Sequence, residues 1–132
     1  SRVLKDLIVM KTCLIVDDSK IVRRMARRIV GEMGFEVSEA EDGDMALAMC
    51  RQSMPTSILL DWNMPNMTGL EFLKLLRKEK KGDAPKVIFC TIENDVSYIK
   101  KALRAGADEY IMKPFDSDII RTKFDQVGLI DG

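Results

Sequence analysis

At 132 residues the chain has the size of one compact domain, with room for its own core and little more. Apolar residues make up 46% and charged residues 32% with no low-complexity stretch, which excludes a disordered or fibrous protein. Acidic and basic side chains balance at 21 each, so no net field draws the chain to nucleic acid or an anionic membrane.

Ser1 to Val9 reads as an N-terminal extension or expression remnant, with Met10 a candidate natural start, and the domain is expected over residues 10–132. Residues 12–16 form the first predicted strand. Ile21, Val22, Met25, Ala26, Ile29, Val30 and Met33 then recur at helical spacing, opposite Arg23, Arg24, Arg27 and Arg28, and Gly31 and Gly34 are expected to end that helix. The second strand covers 35–40, and Asp42 caps a helix whose core positions are Ala46, Leu47, Met49 and Cys50. After Pro55, residues 57–60 are almost wholly apolar, as in a central parallel strand covered on both faces, and Asp61 stands just beyond. Thr68 and Glu71 form a T-x-x-E capping box for a helix to about Lys78, with Leu70, Leu73 and Leu76 facing inward. A turn at 82–85 leads to a strand over 86–90, a helix over 95–105, a strand over 109–112 and a last helix over 116–127.

Strands that alternate with helices through short loops predict a doubly wound α/β domain, a (βα)5 unit whose five-stranded parallel sheet carries helices on both faces. Cys13, Cys50 and Cys90 sit in apolar runs without a C-x-x-C pair, which points to reduced, buried thiols and a cytoplasmic location. No apolar run approaches the roughly 18 to 20 residues of a membrane span, so no membrane insertion is expected.

Ligands of open parallel sheets bind beyond the carboxyl ends of the strands. The polar residues follow that rule: Asp17 and Asp18 end the first strand, Asp61 the third, Thr91 the fourth and Lys113 the fifth. Carboxylates crowded together repel unless a cation sits among them, and all-oxygen donors in a chain without histidine favour Mg2+ over zinc. A carboxylate in such a setting can attack a phosphoryl donor and become an aspartyl phosphate. Asp61, at the tip of the central strand, is the expected acceptor, with Asp17 and Asp18 as metal ligands, Lys113 as positive charge and Thr91 as hydrogen-bond donor to the phosphoryl oxygens. Each residue alone has a plainer reading as a loop acid, a turn or a structural hydroxyl; their joint placement at successive strand ends carries the inference.

The segments Leu14-Ile-Val-Asp-Asp-Ser19 and Leu59-Leu-Asp-Trp-Asn-Met-Pro-Asn-Met-Thr-Gly69, with Thr91 and Lys113-Pro-Phe115, resemble the receiver domain of bacterial response regulators. Asp61-Trp-Asn-Met-Pro65 is most similar to the chemotaxis-type members, and the likeness runs from about Met10 to Ile130. The resemblance implies a flavodoxin-like fold with strand order 2-1-3-4-5. It also implies phosphorylation of Asp61 with Mg2+ held by Asp17, Asp18, Asp61 and the Asn63 backbone carbonyl, and Thr91 and Lys113 on the phosphoryl group. Tyr110 matches the family's switch aromatic, which turns inward with Thr91 and remodels the face formed by the fourth helix, fifth strand and fifth helix. Asn63, Ile92 and Glu93 flank the site and would tune kinetics; Ile92 departs from the small residue usual there and is expected to narrow access. Thr68 replaces a common Asp but caps equally well.

The implied function is that of a single-domain response regulator. A histidine kinase or phosphotransfer protein is the expected donor, and a downstream protein, with the flagellar motor switch as one candidate, reads the state. A phosphate sink or phosphorelay intermediate is the alternative. DNA binding is not expected, because no appended domain is seen. A haloacid dehalogenase-type phosphohydrolase also uses a strand-end Asp, but Asn63 stands where its second acid would be and no cap domain exists. A flavodoxin-like cofactor site lacks a phosphate loop after the first strand. The arginine face of the first helix has two readings, an ordinary solvated face or a docking surface for an acidic partner.

Overall fold

The computed structural model describes residues 10–92 and 95–131. Five strands, β1 (Thr12–Val16), β2 (Glu36–Ala40), β3 (Ser57–Asp61), β4 (Lys86–Thr91) and β5 (Glu109–Met112), alternate with helices α1 (Lys20–Glu32), α2 (Gly43–Gln52), α3 (Gly69–Lys78), α4 (Val96–Arg104) and α5 (Ser117–Gln126). All pairings are parallel, in the order β2-β1-β3-β4-β5, which is the doubly wound, flavodoxin-like sheet expected. The chain runs from β1 outward to β2 and returns past β1 to β3. The order therefore reverses between β1 and β3, and the carboxyl ends of these two strands open a crevice.

The period-two pleat sorts the strand residues into two cores. Leu14, Val16, Ile58, Leu60, Val87 and Phe89 pack with Leu47 of α2, Phe72, Leu73 and Leu76 of α3 and Ala102 of α4. On the other face Cys13, Ile15, Leu59, Ile88, Cys90 and Ile111 pack with Ala26, Ile29 and Val30 of α1 and Ile120 and Phe124 of α5. All five residues of β3 are buried, as its almost wholly apolar run predicts. Among the described residues no helix is long and apolar enough to cross a membrane.

Helix starts follow local chemistry. Ser19, Asp42, Thr68, Asp95 and Asp116 each accept a backbone N–H from the first turn that follows, which satisfies donors the helix itself cannot. At α3 the Thr68 hydroxyl also donates to Glu71 Oε1 at 3.2 Å.

The periodicity misplaces three details. Ile21, expected on the buried stripe, is 83% exposed, and the buried positions of α1, Ala26, Ile29 and Val30, all lie beyond its first turn. Gly31 lies inside α1; the chain turns at Gly34, where φ is +93°, a conformation glycine adopts without strain. In α3 the inward stripe is Phe72, Leu73 and Leu76, with Leu70 only half-buried, because a 3.6-residue repeat drifts off a strict three-residue spacing.

Candidate functional site

Asp17 follows β1 directly and Asp61 is the last residue of β3; they are 3% and 5% exposed, while their neighbour Asp18 is exposed. Counting along the pleat from Ile15 and Leu59, both buried acids fall on the α1 and α5 side of the sheet. Carboxylate oxygens of Asp17, Asp18 and Asp61 lie within 4.8 Å of one another. Lys113, just past β5, reaches back across the sheet edge: its Nζ is 2.7 Å from Asp17 Oδ2 and 3.1 Å from Asp61 Oδ1.

The backbone around the acids is fixed on several sides. Asp17 N–H donates to the Ala40 carbonyl at 3.1 Å, Ser19 N–H donates to Asp17 Oδ1 at 2.8 Å, and Arg23 Nη1 donates to the Asp17 carbonyl at 2.6 Å. After Asp61, Trp62 N–H donates to the Cys90 carbonyl at 3.0 Å, and the loop closes where Gly69 N–H reaches the Trp62 carbonyl at 3.0 Å. A Cβ on Gly69 would lie 2.6 Å from the Asp61 carbonyl oxygen and 3.0 Å from Trp62 Cα, so only glycine lets α3 begin this close to the acid.

Burial, and then the adjacent charge of Asp17, push the Asp61 carboxyl up to about 6; the Lys113 charge and hydrogen bond and an N–H from Asn63 pull the other way without prevailing. Burial disfavours the Lys113 ammonium, but its bonds to Asp17 and Asp61 outweigh that and hold it above its ordinary value. The Cys90 thiol, paired in register with Asp61, is raised by burial, which favours its neutral form. Three carboxylates with one ammonium leave an excess of negative charge, and the donors are all hard oxygens. That set suits a hard divalent cation such as Mg2+.

Asp17, Asp18, Asp61 and Lys113 are thus brought together. Thr91 ends β4, is 1% exposed, and accepts Lys113 N–H on its carbonyl at 2.9 Å. Its pleat parity matches Phe89, facing the α4 side, where the Tyr110 ring lies 6.0 Å from that of Phe89. Tyr110 is half-buried, with Lys123 Nζ 4.6 Å above its ring. Asn63 lies two residues past Asp61, Ile92 is 72% exposed beside Thr91, and Glu93 lies outside the described residues, as do residues 1–9. Sequence reasoning missed Arg23 as a partner of the acid pair, reading it only as part of a charged helix face. It also passed over Gly69, although a glycine directly after a helix cap was a usable signal of close approach.

Paired acids after β1, an acid ending β3 and a lysine after β5, together at one edge of a doubly wound sheet, suit a phosphoacceptor switch. The chain belongs to the response regulator receiver domain family, which matches residues 13–125. A CheY homologue of Campylobacter jejuni is 37% identical over 116 residues, covering 86% of this chain and 89% of that protein. The chemotaxis protein CheY of Pseudomonas aeruginosa is 33% identical over 115 residues, covering 86% and 93%. The solved structure of Vibrio cholerae CheY4 superposes with a TM-score of 0.86 at 31% identity, covering 90% of this chain and 99% of that one. Phosphorylation and Mg2+ dependence are general features of the family, whose members interact with histidine kinases and downstream targets.

Proposed function

We propose that Asp61 accepts a phosphoryl group from the phosphohistidine of a histidine kinase or phosphotransfer protein, and that the product state switches the binding of a downstream protein. The observation that carries this reading is the buried Asp17–Lys113–Asp61 cluster, with its contacts of 2.7 and 3.1 Å, at the reversal point of the sheet. Asp17, Asp18, Asp61 and the Asn63 carbonyl would hold Mg2+, which supplies charge neutralisation for the carboxylates and phosphoryl oxygens. An Asp61 carboxylate oxygen forms the new bond to phosphorus as the donor's N–P bond breaks, and the electron pair leaves with the imidazole nitrogen. Lys113 stabilises the charge on the transferring oxygens, and the Thr91 hydroxyl adds a hydrogen bond. Hydrolysis of the resulting acyl phosphate resets the switch, with Asn63, Ile92 and Glu93 as the residues that set its rate.

Thr91 and Tyr110 share the α4 side of the sheet, which supports a coupled movement that alters the α4-β5-α5 face read by the target. The likeness to chemotaxis proteins supports a role in that pathway, with the flagellar motor switch as candidate target. Three free, buried cysteines fit a cytoplasmic setting. Incubation with Mg2+ and acetyl phosphate is expected to add one phosphate, measured by intact mass, and Asp61→Asn to abolish it. Equal labelling of that variant would refute the assignment. Ile92→Ala is expected to change the phosphoryl lifetime, and an unchanged lifetime would remove Ile92 from the rate-setting residues.

A further inference from the structure

The four arginines of α1 do not behave as one face. Arg24 and Arg28 are exposed, but Arg23 lies against the sheet with its side chain 13% exposed. Its guanidinium uses two positions at once: Nη1 donates to the Asp17 carbonyl at 2.6 Å, and Nε donates to Glu39 Oε1 at 3.2 Å. Glu39 belongs to the edge strand β2, next to Ala40, whose carbonyl accepts the Asp17 N–H. Both ends of Asp17 are therefore tied to the same short stretch of β2, one directly and one through Arg23. The carbonyl that Arg23 holds belongs to the peptide linking Asp17 to Asp18, and that peptide's orientation sets where Asp18 leaves the backbone. Arg27 contacts the same glutamate, Nη1 to Glu39 Oε2 at 2.9 Å, but no contact carries it to Asp17, and it is 51% exposed.

We propose that Arg23 is a positioning residue that fixes the Asp17–Asp18 peptide, and with it the aim of the second acid at the metal position, using Glu39 of the edge strand as its anchor. The inference rests on the metal-dependent function proposed above. An arginine is required because a planar fork spans two acceptors in fixed directions; a lysine ammonium on a flexible stem is a point charge that serves one or the other. Two of the four arginines are paired within the domain, and of those two only Arg23 reaches Asp17.

The test uses the full chain with Arg23→Gln, Arg23→Lys, Glu39→Gln and Arg27→Gln. Mg2+ alone is titrated against the fluorescence of Trp62, which is buried beside Asp61, and labelling by acetyl phosphate is measured separately at saturating Mg2+. Removing a group that orients metal ligands commonly costs about 10- to 100-fold in metal affinity. Arg23→Gln is expected to raise half-saturation about 10-fold while the maximal labelling rate at saturating Mg2+ stays within about twofold. Arg23→Lys should not restore affinity, Glu39→Gln should give a smaller rise, and Arg27→Gln should match wild type. In the metal-free protein, hydrogen exchange at the Asp18 amide should quicken in Arg23→Gln and not in Arg27→Gln. If Arg23→Gln does not fold, Glu39→Gln decides by the same measurements. Wild-type Mg2+ affinity in Arg23→Gln would overturn the inference, as would an equal loss in Arg27→Gln. Wild-type protein that neither binds Mg2+ nor takes up phosphate would instead overturn the proposed function, a failure visible before any variant is made.

Discussion

Burial and the neighbouring Asp17 charge push the Asp61 carboxyl up to about 6 from an ordinary 3.8, against the pull of Lys113. Between those two values the folded protein holds a proton that the unfolded chain has released. The stability of metal-free protein therefore falls as pH rises through about 4 to 6, and the full penalty, on the order of 3 kcal/mol, persists above that window. Asp61→Asn removes it. In urea denaturation without metal, this variant is expected to be more stable than wild type by about 1 to 3 kcal/mol at pH 7.5 and to converge with it near pH 4. Saturating Mg2+ should stabilise wild type more than the variant. A variant less stable than wild type at pH 7.5 would mean that the Lys113 contact outweighs the repulsion. At this scale Asp17, Asp61 and Lys113 were legible because strand ends in a parallel sheet must converge. Arg23 was not, since a charge on an amphipathic helix looks the same whether it meets water or a carbonyl folded back six residues away.

The β3–α3 connection shows what a local pattern does and does not carry. The T-x-x-E signature located the start of α3, and Thr68 caps it at 3.2 Å from Glu71 N–H. The pattern says nothing of how tightly that start is drawn onto β3, which depends on the intervening path, including Asn66 at a φ of +69°. Gly69→Ala places a methyl 2.6 Å from the Asp61 carbonyl oxygen and 3.0 Å from both Trp62 Cα and the buried Trp62 ring, none of which is the free end of a flexible side chain. The variant is expected to lose about 1 to 3 kcal/mol in chemical denaturation and to shift Trp62 emission. Unchanged stability would show that the loop relaxes away from the strand. The drift of the α3 stripe from Leu70 to Phe72 has the same origin: periodicity gives a face, and packing against sheet residues of the same core such as Leu60 and Phe89 decides its centre.

Across the whole molecule, strand count, helix alternation and the two-faced core were readable from spacing alone, whereas the strand order came only from resemblance. Spacing cannot say which side of β1 receives β3. The sheet also carries an aromatic row that no pattern announced. The Trp62 ring lies 4.9 Å from Phe89, and Phe89 lies 6.0 Å from Tyr110, so packed rings run from beside Asp61 to the edge strand β5. A phosphoryl mimic such as beryllofluoride with Mg2+ is expected to move amide resonances in α4, β5 and α5 more than in α2, which lies beyond the other end of the row. Shifts confined to the loops after β1 and β3 would sever the site from that face.

Lys113 closes the circuit in a different sense. On the proposed function its ammonium, paired in the metal-free protein with the Asp17 and Asp61 carboxylates, would compete with an incoming cation for them, and because it is tethered it would do so at an effective concentration that dilution never lowers. The site would thus carry its own competitor, which weakens its hold on stray divalent ions and would be freed for the phosphoryl group once a cation binds. Lys113→Met should accordingly tighten Mg2+ binding while lowering phosphate uptake, two effects of opposite sign from one substitution; a parallel loss of both would show that the lysine acts only as support.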